Sequence, residues 1–254
     1  MCWPRQVQSS TRVAKEKSAF PNNLGNWQAE AYPLTYPVAL SAVTSDYVGS
    51  VVTTDGNVYA TAKDATDAGK TAVAMICYVG AAGSADASTG SEAYKGLALA
   101  LSDAGTGKWC SQHSVNCLTT QYNSGQQTND MAGIANTDYL IDHDPDGHGH
   151  TAASVARNYS VARPTGTSAW FLPSAGQWDK MVNACKNVLG TNNNYTDLRD
   201  GFSARGGTNL LKDHYRTSTE NTIRFAFRFD FSSGNNGNSD YKYLNSCVRP
   251  VFAF

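Results

Sequence analysis

The sequence predicts an α+β domain in which small, mostly antiparallel sheets are flanked by two or more helices. Three observations indicate this class. An Asp-Gly turn at Asp55 joins two β-prone runs, a capping box opens an amphipathic segment at Ser174, and residues 222–231 alternate between apolar and polar types. Strands joined by hairpin turns, with isolated helices between them, exclude a doubly wound parallel sheet.

The chain divides into an N-terminal arm or attachment segment, residues 1–45, and a domain over residues 46–254. The first segment mixes Pro, Asn, Gln and Trp without a sustained period, which predicts an extended arm. The domain opens on a hairpin with strands over Tyr47–Thr53 and Asn57–Ala60. The continuous apolar run Thr71–Val79 then predicts a buried central strand.

A helix is predicted over residues 91–101. The apolar residues Tyr94, Leu97, Ala98 and Leu101 recur there at helical spacing, and Gly105 ends the pattern. This segment is therefore expected to present one apolar face to the core.

A second helix is predicted to begin after Ser174. Ser174 and Gln177 stand in the positions of a capping box, and an apolar stripe follows from Trp178. Gly190 is expected to end the helix in a left-handed conformation. The Asn-rich and Gly-rich residues 192–208 are then expected to form a long loop.

The segment 222–231 predicts a strand with one apolar and one polar face. Phe225, Phe227, Phe229 and Phe231 alternate with Arg224, Ala226, Arg228 and Asp230. We expect the charged side chains to face solvent and Phe227 and Phe231 to hold the sheet, while Phe225 and Phe229 fit either the core or a binding face. A turn over Ser232–Asp240 and a final apolar strand over Val248–Phe254 follow.

Charge and hydropathy exclude two classes of partner. The net charge is -1 and the 20 basic residues are scattered, whereas a nucleic acid or an anionic lipid surface requires them in a stripe. The longest apolar run, Thr71–Val79, is far shorter than the roughly 20 residues that span a bilayer. We expect no nucleic-acid partner and no membrane span.

The six cysteines are too sparse for a disulfide scaffold. Cys110 and Cys117 enclose a short polar stretch, and their spacing fits either a disulfide or two reduced thiols. The chain has no CxxC pair, so a zinc ribbon has no support.

Asp142, Asp144 and Asp146 satisfy the first half of a calcium loop, D-x-D-x-D-G. However, Ala153 stands at position 12 in place of the bidentate Glu, and Pro145 stiffens the loop. A polar loop that precedes a helix is the favoured interpretation, and calcium is the one cofactor that the sequence leaves open.

No evident active site accompanies this loop. His143, His148 and His150 are alternative zinc ligands, but His148 and His150 would diverge on a strand or a helix. The sequence has no G-x-S-x-G nucleophile motif. We expect the protein not to be an enzyme.

Three C-terminal segments resemble the variable proteins of diversity-generating retroelements in gut bacteria and their phages. They are WFLPSAGQW (Trp170–Trp178), YRTSTE (Tyr215–Glu220) and VRPVFAF (Val248–Phe254). They are similar in order and spacing to the family's (W/R)-x-L-P-(S/T)-x-x-x-W, Y-W-S-S-T-E and V-R-P-V-L-A-F. The resemblance covers about residues 165–254, with residues 48–79 similar to the family's domain opening. It implies a C-type-lectin-like fold, which formylglycine-generating enzymes also have.

In that family a reverse transcriptase introduces errors at template adenines, and AAC codons are favoured sites. AAC mutated only at adenines cannot yield Lys, Glu, Gln, Trp or Met, and Asn221–Cys247 contains only Lys242 of these five types. Arg216 and Thr217 replace the family's usual Trp and Ser, as such mutagenesis would produce. The resemblance therefore implies a variable region at about residues 216–247.

The residues expected to contact a ligand lie on the polar side of the predicted strand, on the turn and on the strand after it. They are Arg216, Asn221, Thr222, Arg224, Arg228, Asp230, Asn235, Asn236, Asn238, Ser239, Asp240, Tyr241, Tyr243, Leu244, Asn245 and Ser246. Tyr and Arg are frequent anchors of protein interfaces.

The expected function is recognition without catalysis. A hypervariable surface would bind a protein or glycan on a target cell, and the protein would lie on a phage virion tail or at the cell surface, outside the cell. A calcium-dependent carbohydrate-binding module is the first alternative and a fold-related metal-dependent enzyme the second. The sequence leaves the oligomeric state open.

Overall fold

A computed structural model describes residues 34–81, 85–112, 115–143 and 149–254 of the chain. These residues form two sheets and five helices, and the predicted α+β class is confirmed. The strands of the first sheet are β1 (Val38–Ala39), β2 (Val51–Thr53), β3 (Asn57–Tyr59), β4 (Ala72–Val79), β5 (Gly96–Ala100) and β11 (Val251–Ala253). Those of the second are β6 (Gly105–Lys108), β7 (His214–Glu220), β8 (Phe225–Asp230), β9 (Ser239–Tyr241) and β10 (Asn245–Val248). The helices are α1 (Ala62–Asp67), α2 (Gly133–Asp142), α3 (Thr151–Arg157), α4 (Ala175–Cys185) and α5 (Tyr195–Asp200).

The first sheet has the order β1-β3-β2-β4-β5-β11, and each neighbouring pair in it is antiparallel. The predicted hairpin is confirmed as β2 and β3, and Gly56 in its turn has a φ of +80°, which glycine adopts at little cost. The predicted central strand is confirmed as β4, which lies between β2 and β5.

The helix predicted over residues 91–101 is wrong. Gly96–Ala100 form β5, which pairs with β4 and β11 and is buried along its whole length. A Cβ at Gly96 would lie 2.3 Å from the ring of Phe254, so the close packing of the C-terminus requires a glycine there. A run of consecutive buried residues is typical of a strand covered on both faces, and that pattern outweighs the helical spacing.

Helix α4 begins as predicted. Ser174 Oγ accepts a hydrogen bond from Gln177 N at 3.3 Å, and Gln177 Oε1 accepts one from Ser174 N at 3.0 Å. Trp178 is fully buried and packs on the ring of Phe229 in the second sheet and on that of Phe231, which directly follows β8. Because α4 also packs on β4, it lies between the two sheets and joins their cores.

The end of this helix differs from the prediction. The helix stops at Cys185, and Asn187, rather than Gly190, takes a left-handed conformation with a φ of +60°. The predicted loop over residues 192–208 contains α5. Its Asp197 accepts hydrogen bonds from three backbone N–H groups, which fixes the connection between α4 and α5.

The second sheet has the order β6-β10-β7-β8-β9, and only the pair β10–β7 is parallel. The predicted final strand is divided between the two sheets, with β10 in the second and β11 in the first. At the crossing, the buried side chain of Arg249 donates to Asp103 Oδ1 at 2.5 Å and to Ala100 O at 3.1 Å. The segment from β10 to β11 therefore connects the two sheets.

The domain begins earlier than the predicted residue 46. Val38 and Ala39 pair with β3, and Leu40 and Val43 are buried in the main core. These apolar residues follow a polar segment, and their burial depends on β3, which sequence proximity alone does not reveal. Residues 1–33 of the predicted arm lie outside the described residues.

Among the described residues, no helix combines the length and the apolar character needed to cross a membrane.

Candidate ligand-binding surface

The second sheet carries the residues predicted to contact a ligand, and the structure divides them by exposure. Six are exposed, namely Thr222, Arg224, Asn235, Tyr241, Leu244 and Asn245. Seven are half-buried, namely Asn221, Arg228, Asn236, Asn238, Ser239, Asp240 and Tyr243. Three are buried, namely Arg216, Asp230 and Ser246.

One end of the β8–β9 hairpin forms an exposed apolar patch, which comprises Ile223, Phe225, Tyr241, Tyr243 and Leu244. The ring centroids of Phe225 and Tyr241 are 4.7 Å apart, and those of Tyr241 and Tyr243 are 5.2 Å apart. Ile223, Tyr241 and Leu244 are 44%, 41% and 39% exposed, and they are three of the four large apolar side chains exposed in the described part of the chain. Clustered exposed apolar groups of this kind are typical of interaction sites.

The expected set of contact residues omitted Ile223. Ile223 falls within the predicted strand 222–231, on the same side as Phe225, but β8 begins only at Phe225 and leaves Ile223 in the preceding turn. The alternation by itself gives no signal for this. The turn is closed by hydrogen bonds from Asn221 N and Thr222 N to Phe225 O, each 3.0 Å long. This closure holds Ile223 at the surface.

Arg216 was predicted to contact a ligand, but it is buried beneath the patch. Only 1% of it is exposed, and its Nη2 donates to Leu244 O at 2.8 Å. Burial lowers the pKa of its guanidinium to about 10, although the charge of Asp240 opposes that shift. Leu244 N also donates to Tyr241 O at 3.1 Å, so the turn over residues 241–244 covers the arginine that supports it.

Lys242, between two residues of the patch, points inward. It is fully buried and forms an ion pair with Glu220, which is also fully buried. Lys242 Nζ donates to Val115 O at 2.7 Å and lies 4.8 Å from the centre of the Trp109 ring. Glu220 also accepts hydrogen bonds from Cys117 N at 2.9 Å and Leu118 N at 2.7 Å.

A charged cluster occupies the middle of the hairpin. Arg228 Nη1 lies 2.7 Å from Asp240 Oδ2 and 2.6 Å from His214 Nδ1. The side chains of Arg228 and Asp240 are 16% and 22% exposed, so the pair is only partly reached by solvent. This cluster can offer hydrogen bonds to a ligand beside the apolar patch.

Asp230 and Ser246 were also predicted to contact a ligand, but both are buried. Burial alone raises the pKa of Asp230, but hydrogen bonds from Ser232 and Ser233 outweigh burial and hold the pKa at about 2. The carboxylate therefore serves its own turn rather than a ligand. Ser246 is 7% exposed, in the strand β10 that packs against α3.

The far turn of the hairpin, residues 231–238, folds back on α4. Asn236 Nδ2 donates to Ala175 O at 2.8 Å in the first turn of that helix. Gly234 has a φ of +76° and lies against the ring of Tyr195, where a side chain would clash. The two ends of the hairpin thus differ, since one is anchored on helices and the other carries the exposed patch.

The candidate calcium loop, for which a polar loop before a helix was the favoured interpretation, lies only partly within the described residues. Asp142 is exposed at the end of α2, while Asp144, Asp146 and His148 lie outside the described residues. His143 is exposed and stacks on Tyr139, whereas His150 is buried. The two candidate zinc ligands that the structure describes, His143 and His150, are therefore in different surroundings.

Comparisons with known proteins identify a similar fold. No protein-family model matches the chain, and no curated protein matches it. The crystal structure of a fimbrial protein from Bacteroides ovatus is similar, with a TM-score of 0.57 and 19% sequence identity over 82% of this chain. The chain spans about half of that protein, 48% of its length. At this identity the likeness shows a shared fold.

Proposed function

We propose that this protein is a non-enzymatic ligand-binding protein of the cell surface, and that the exposed apolar patch binds a protein or glycan on a target cell. The observation that carries the proposal is the clustering of Ile223, Tyr241 and Leu244 at one end of one hairpin. Exposed aromatic side chains beside half-buried charges are common in interfaces, because the rings supply contact area and the charges supply orientation. The likeness to a fimbrial protein is consistent with a surface location.

The separation of the patch from the scaffold supports the proposal. Adenine mutagenesis of an AAC codon cannot create lysine, and Lys242 is the one residue in Asn221–Cys247 that falls outside its reach. The side chain of Lys242 is fully buried against Glu220. Its neighbours Tyr241 and Tyr243 project outward and stack on each other. A fixed residue under replaceable neighbours is the arrangement that a diversified surface needs.

The three segments that resemble retroelement variable proteins fall on this scaffold. WFLPSAGQW leads into α4, YRTSTE belongs to β7, and VRPVFAF runs from β10 to β11. Residues 221–247 connect the second segment to the third and contain the patch. We propose on this basis that the protein is such a variable protein with a C-type-lectin-like fold.

The neighbouring DNA tests the diversification. We expect a near-copy of the bases that encode residues 216–247, differing from the gene at adenines, beside a gene for a reverse transcriptase. A locus without such a repeat would contradict diversification and leave the binding proposal to the next experiment.

Binding is tested with a triple variant, Ile223→Ser, Tyr241→Ser and Leu244→Ser. The wild-type protein is applied to a glycan array and to a panel of intact bacterial and epithelial cells, and bound protein is measured by fluorescence. We expect wild-type binding to at least one glycan or cell type and a loss of about ten-fold or more in the triple variant, since interface anchors carry most of the binding energy.

Leu211→Ser is the matched control. Leu211 is 53% exposed but lies outside the patch, so this variant removes an exposed apolar side chain without changing the proposed surface. It should bind as the wild type does. Absence of wild-type binding to every member of both panels, or equal binding by the triple variant, would contradict the proposed function.

A further inference from the structure

Two cysteines and a histidine meet in a second buried core, which lies beneath the exposed patch. Cys110 N donates to Lys242 O at 3.1 Å. The ligand atoms of Cys110, Cys117 and His150 all lie within 4.8 Å of one another. Cys110 and His150 are fully buried, and Cys117 is 8% exposed. Cys110 and Cys117 both lie in the connection that follows β6, and His150 immediately precedes α3, so two segments of the chain converge here.

The distance between the two sulfurs favours a shared metal ion over a disulfide. Cys110 Sγ and Cys117 Sγ are 3.7 Å apart, whereas a disulfide bond measures about 2.05 Å. Two thiolates on one tetrahedral zinc ion, each at about 2.3 Å from the metal, are separated by about 3.8 Å. The observed separation fits two ligands of one ion as well as it fits two thiols joined by a hydrogen bond, so the tautomer of the neighbouring histidine decides between them.

The histidine is held in the tautomer that a metal ligand requires. His150 Nδ1 lies 2.6 Å from Trp109 O, and a carbonyl oxygen can only accept, so Nδ1 carries the proton. The lone pair is then on Nε2. Histidine ligands of metal ions commonly donate their second ring nitrogen to a backbone carbonyl in this way, which fixes the ring orientation.

The charges near the cluster are already balanced. The buried ion pair of Lys242 and Glu220 is adjacent, since Glu220 accepts a hydrogen bond from Cys117 N. A divalent cation with two thiolates adds no net charge to this core. Zinc and two thiolates can therefore be buried here without leaving an uncompensated charge.

We infer that Cys110, Cys117 and His150 supply three ligands of a zinc site, which joins the connection after β6 to the start of α3. Thiolate and imidazole ligands in this number are typical of zinc, and the fourth position remains for solvent or a further ligand. The inference is independent of the proposed ligand-binding surface.

Metal analysis of the full chain tests the site. The protein is purified without chelators or a histidine tag from zinc-supplemented cells, and its zinc content is measured by mass spectrometry. We expect about one zinc ion per chain, lost in Cys110→Ser, Cys117→Ser and His150→Ala. Cys185→Ala is the control, because Cys185 is equally buried but lies in the main core, and it should retain the metal.

Cobalt substitution decides the question if the site variants do not fold. Replacing the zinc of the wild-type protein with Co²⁺ should produce the near-ultraviolet absorption of thiolate-to-cobalt charge transfer, and both cysteines should resist alkylation until the metal is removed. A protein without stoichiometric zinc and without this absorption, a protein that holds another metal, or a Cys110–Cys117 disulfide in a non-reduced peptide map would each overturn the inference.

Discussion

The two sheets are held together by different interactions. The first sheet buries apolar side chains, and Val73, Met75, Ile76, Leu97 and Leu99 from β4 and β5 are at most 2% exposed. The second sheet buries apolar side chains too, such as Phe227 and Phe229, but it also buries a polar run. The consecutive β7 residues Arg216, Thr217, Ser218, Thr219 and Glu220 are at most 1% exposed. Apolar packing is non-directional, whereas buried hydrogen bonds and ion pairs require particular partners. The sheet that carries the exposed patch is therefore the one whose backbone is specified by directional contacts.

Asp130 illustrates how the second sheet is positioned. Its Oδ2 accepts from Thr219 Oγ1 at 2.7 Å and from Asn136 Nδ2 at 2.9 Å, and its backbone O accepts from Ser174 Oγ at 2.6 Å. Burial raises the pKa of this carboxyl, although the hydrogen bonds it accepts oppose the shift. One residue thus fixes β7 relative to α2 and α4 without using any side chain of the exposed patch.

The largest expected effect comes from the ion pair beneath the patch. Lys242→Met leaves Glu220 buried without its cation, and we expect a loss of about 3–5 kcal/mol in the free energy of unfolding, measured by denaturant titration. Met75→Leu in the first sheet should cost less than about 1.5 kcal/mol, because apolar exchanges of similar volume are tolerated.

Two further variants sharpen this comparison. Lys212→Met removes an exposed lysine and should change stability by less than about 0.5 kcal/mol. Adding Glu220→Gln to Lys242→Met should recover part of the loss, because no unpaired charge then remains. Equal effects of Lys242→Met and Lys212→Met would show that the second sheet does not depend on the pair.

A smaller effect is expected at the turn that closes the β8–β9 hairpin. Asp230→Ala removes three hydrogen bonds to Ser232 and Ser233 and should cost about 1–2 kcal/mol. The pKa of Asp230 is about 2 in the folded protein against an ordinary 3.8, so the carboxylate stabilises the fold above about pH 4, and this contribution is lost as the pH falls through about 2. The difference in melting temperature between the wild type and Asp230→Ala should therefore become smaller as the pH falls from about 4 to about 2.

Asp67→Ala is the control for this prediction. Asp67 forms an exposed pair with Lys63 within α1, and exposed pairs contribute little. If Asp230→Ala were as harmless as Asp67→Ala at neutral pH, the turn would not depend on its carboxylate.

Local signals in the sequence identified the elements that form from neighbouring residues. The Asp55-Gly56 hairpin and the capping box at Ser174 each depend on contacts within a few positions. By contrast, β5 is defined by pairing with β4 and with β11, and β11 lies about 150 residues further along the chain in the register Leu99↔Val251. The apolar residues of that segment also have helical spacing. Its pairing with strands elsewhere in the chain, which the local sequence does not reveal, makes it a strand.

On the candidate surface, too, the sequence predicted the features that depend on neighbouring residues and missed those that depend on distant ones. Alternation correctly placed Arg224 outside and Phe227 inside, because strand parity is local. Arg216 is buried because a turn 25 to 28 residues later folds over it, as its hydrogen bonds to Tyr241 O and Leu244 O record. The burial of Asp230 had a local signal, since Asp followed by Ser at the second and third positions favours a side-chain turn.

The smallest expected effect concerns replacements on the surface itself, and adjacent residues of β10 provide the contrast. Asn245 is exposed and Ser246 is 7% exposed. Asn245→Tyr should change the free energy of unfolding by less than about 0.5 kcal/mol, because the new ring lies in solvent beside the exposed patch. Ser246→Tyr should cost about 1–3 kcal/mol, because the ring has to enter a position that is already covered, in the strand that packs against α3. Both are measured by denaturant titration at one pH.

A surface that evolves by replacement requires that Asn245→Tyr is tolerated, since each new side chain must leave the fold intact. If Asn245→Tyr were as destabilising as Ser246→Tyr, the physical basis for a replaceable surface at this end of the sheet would be removed.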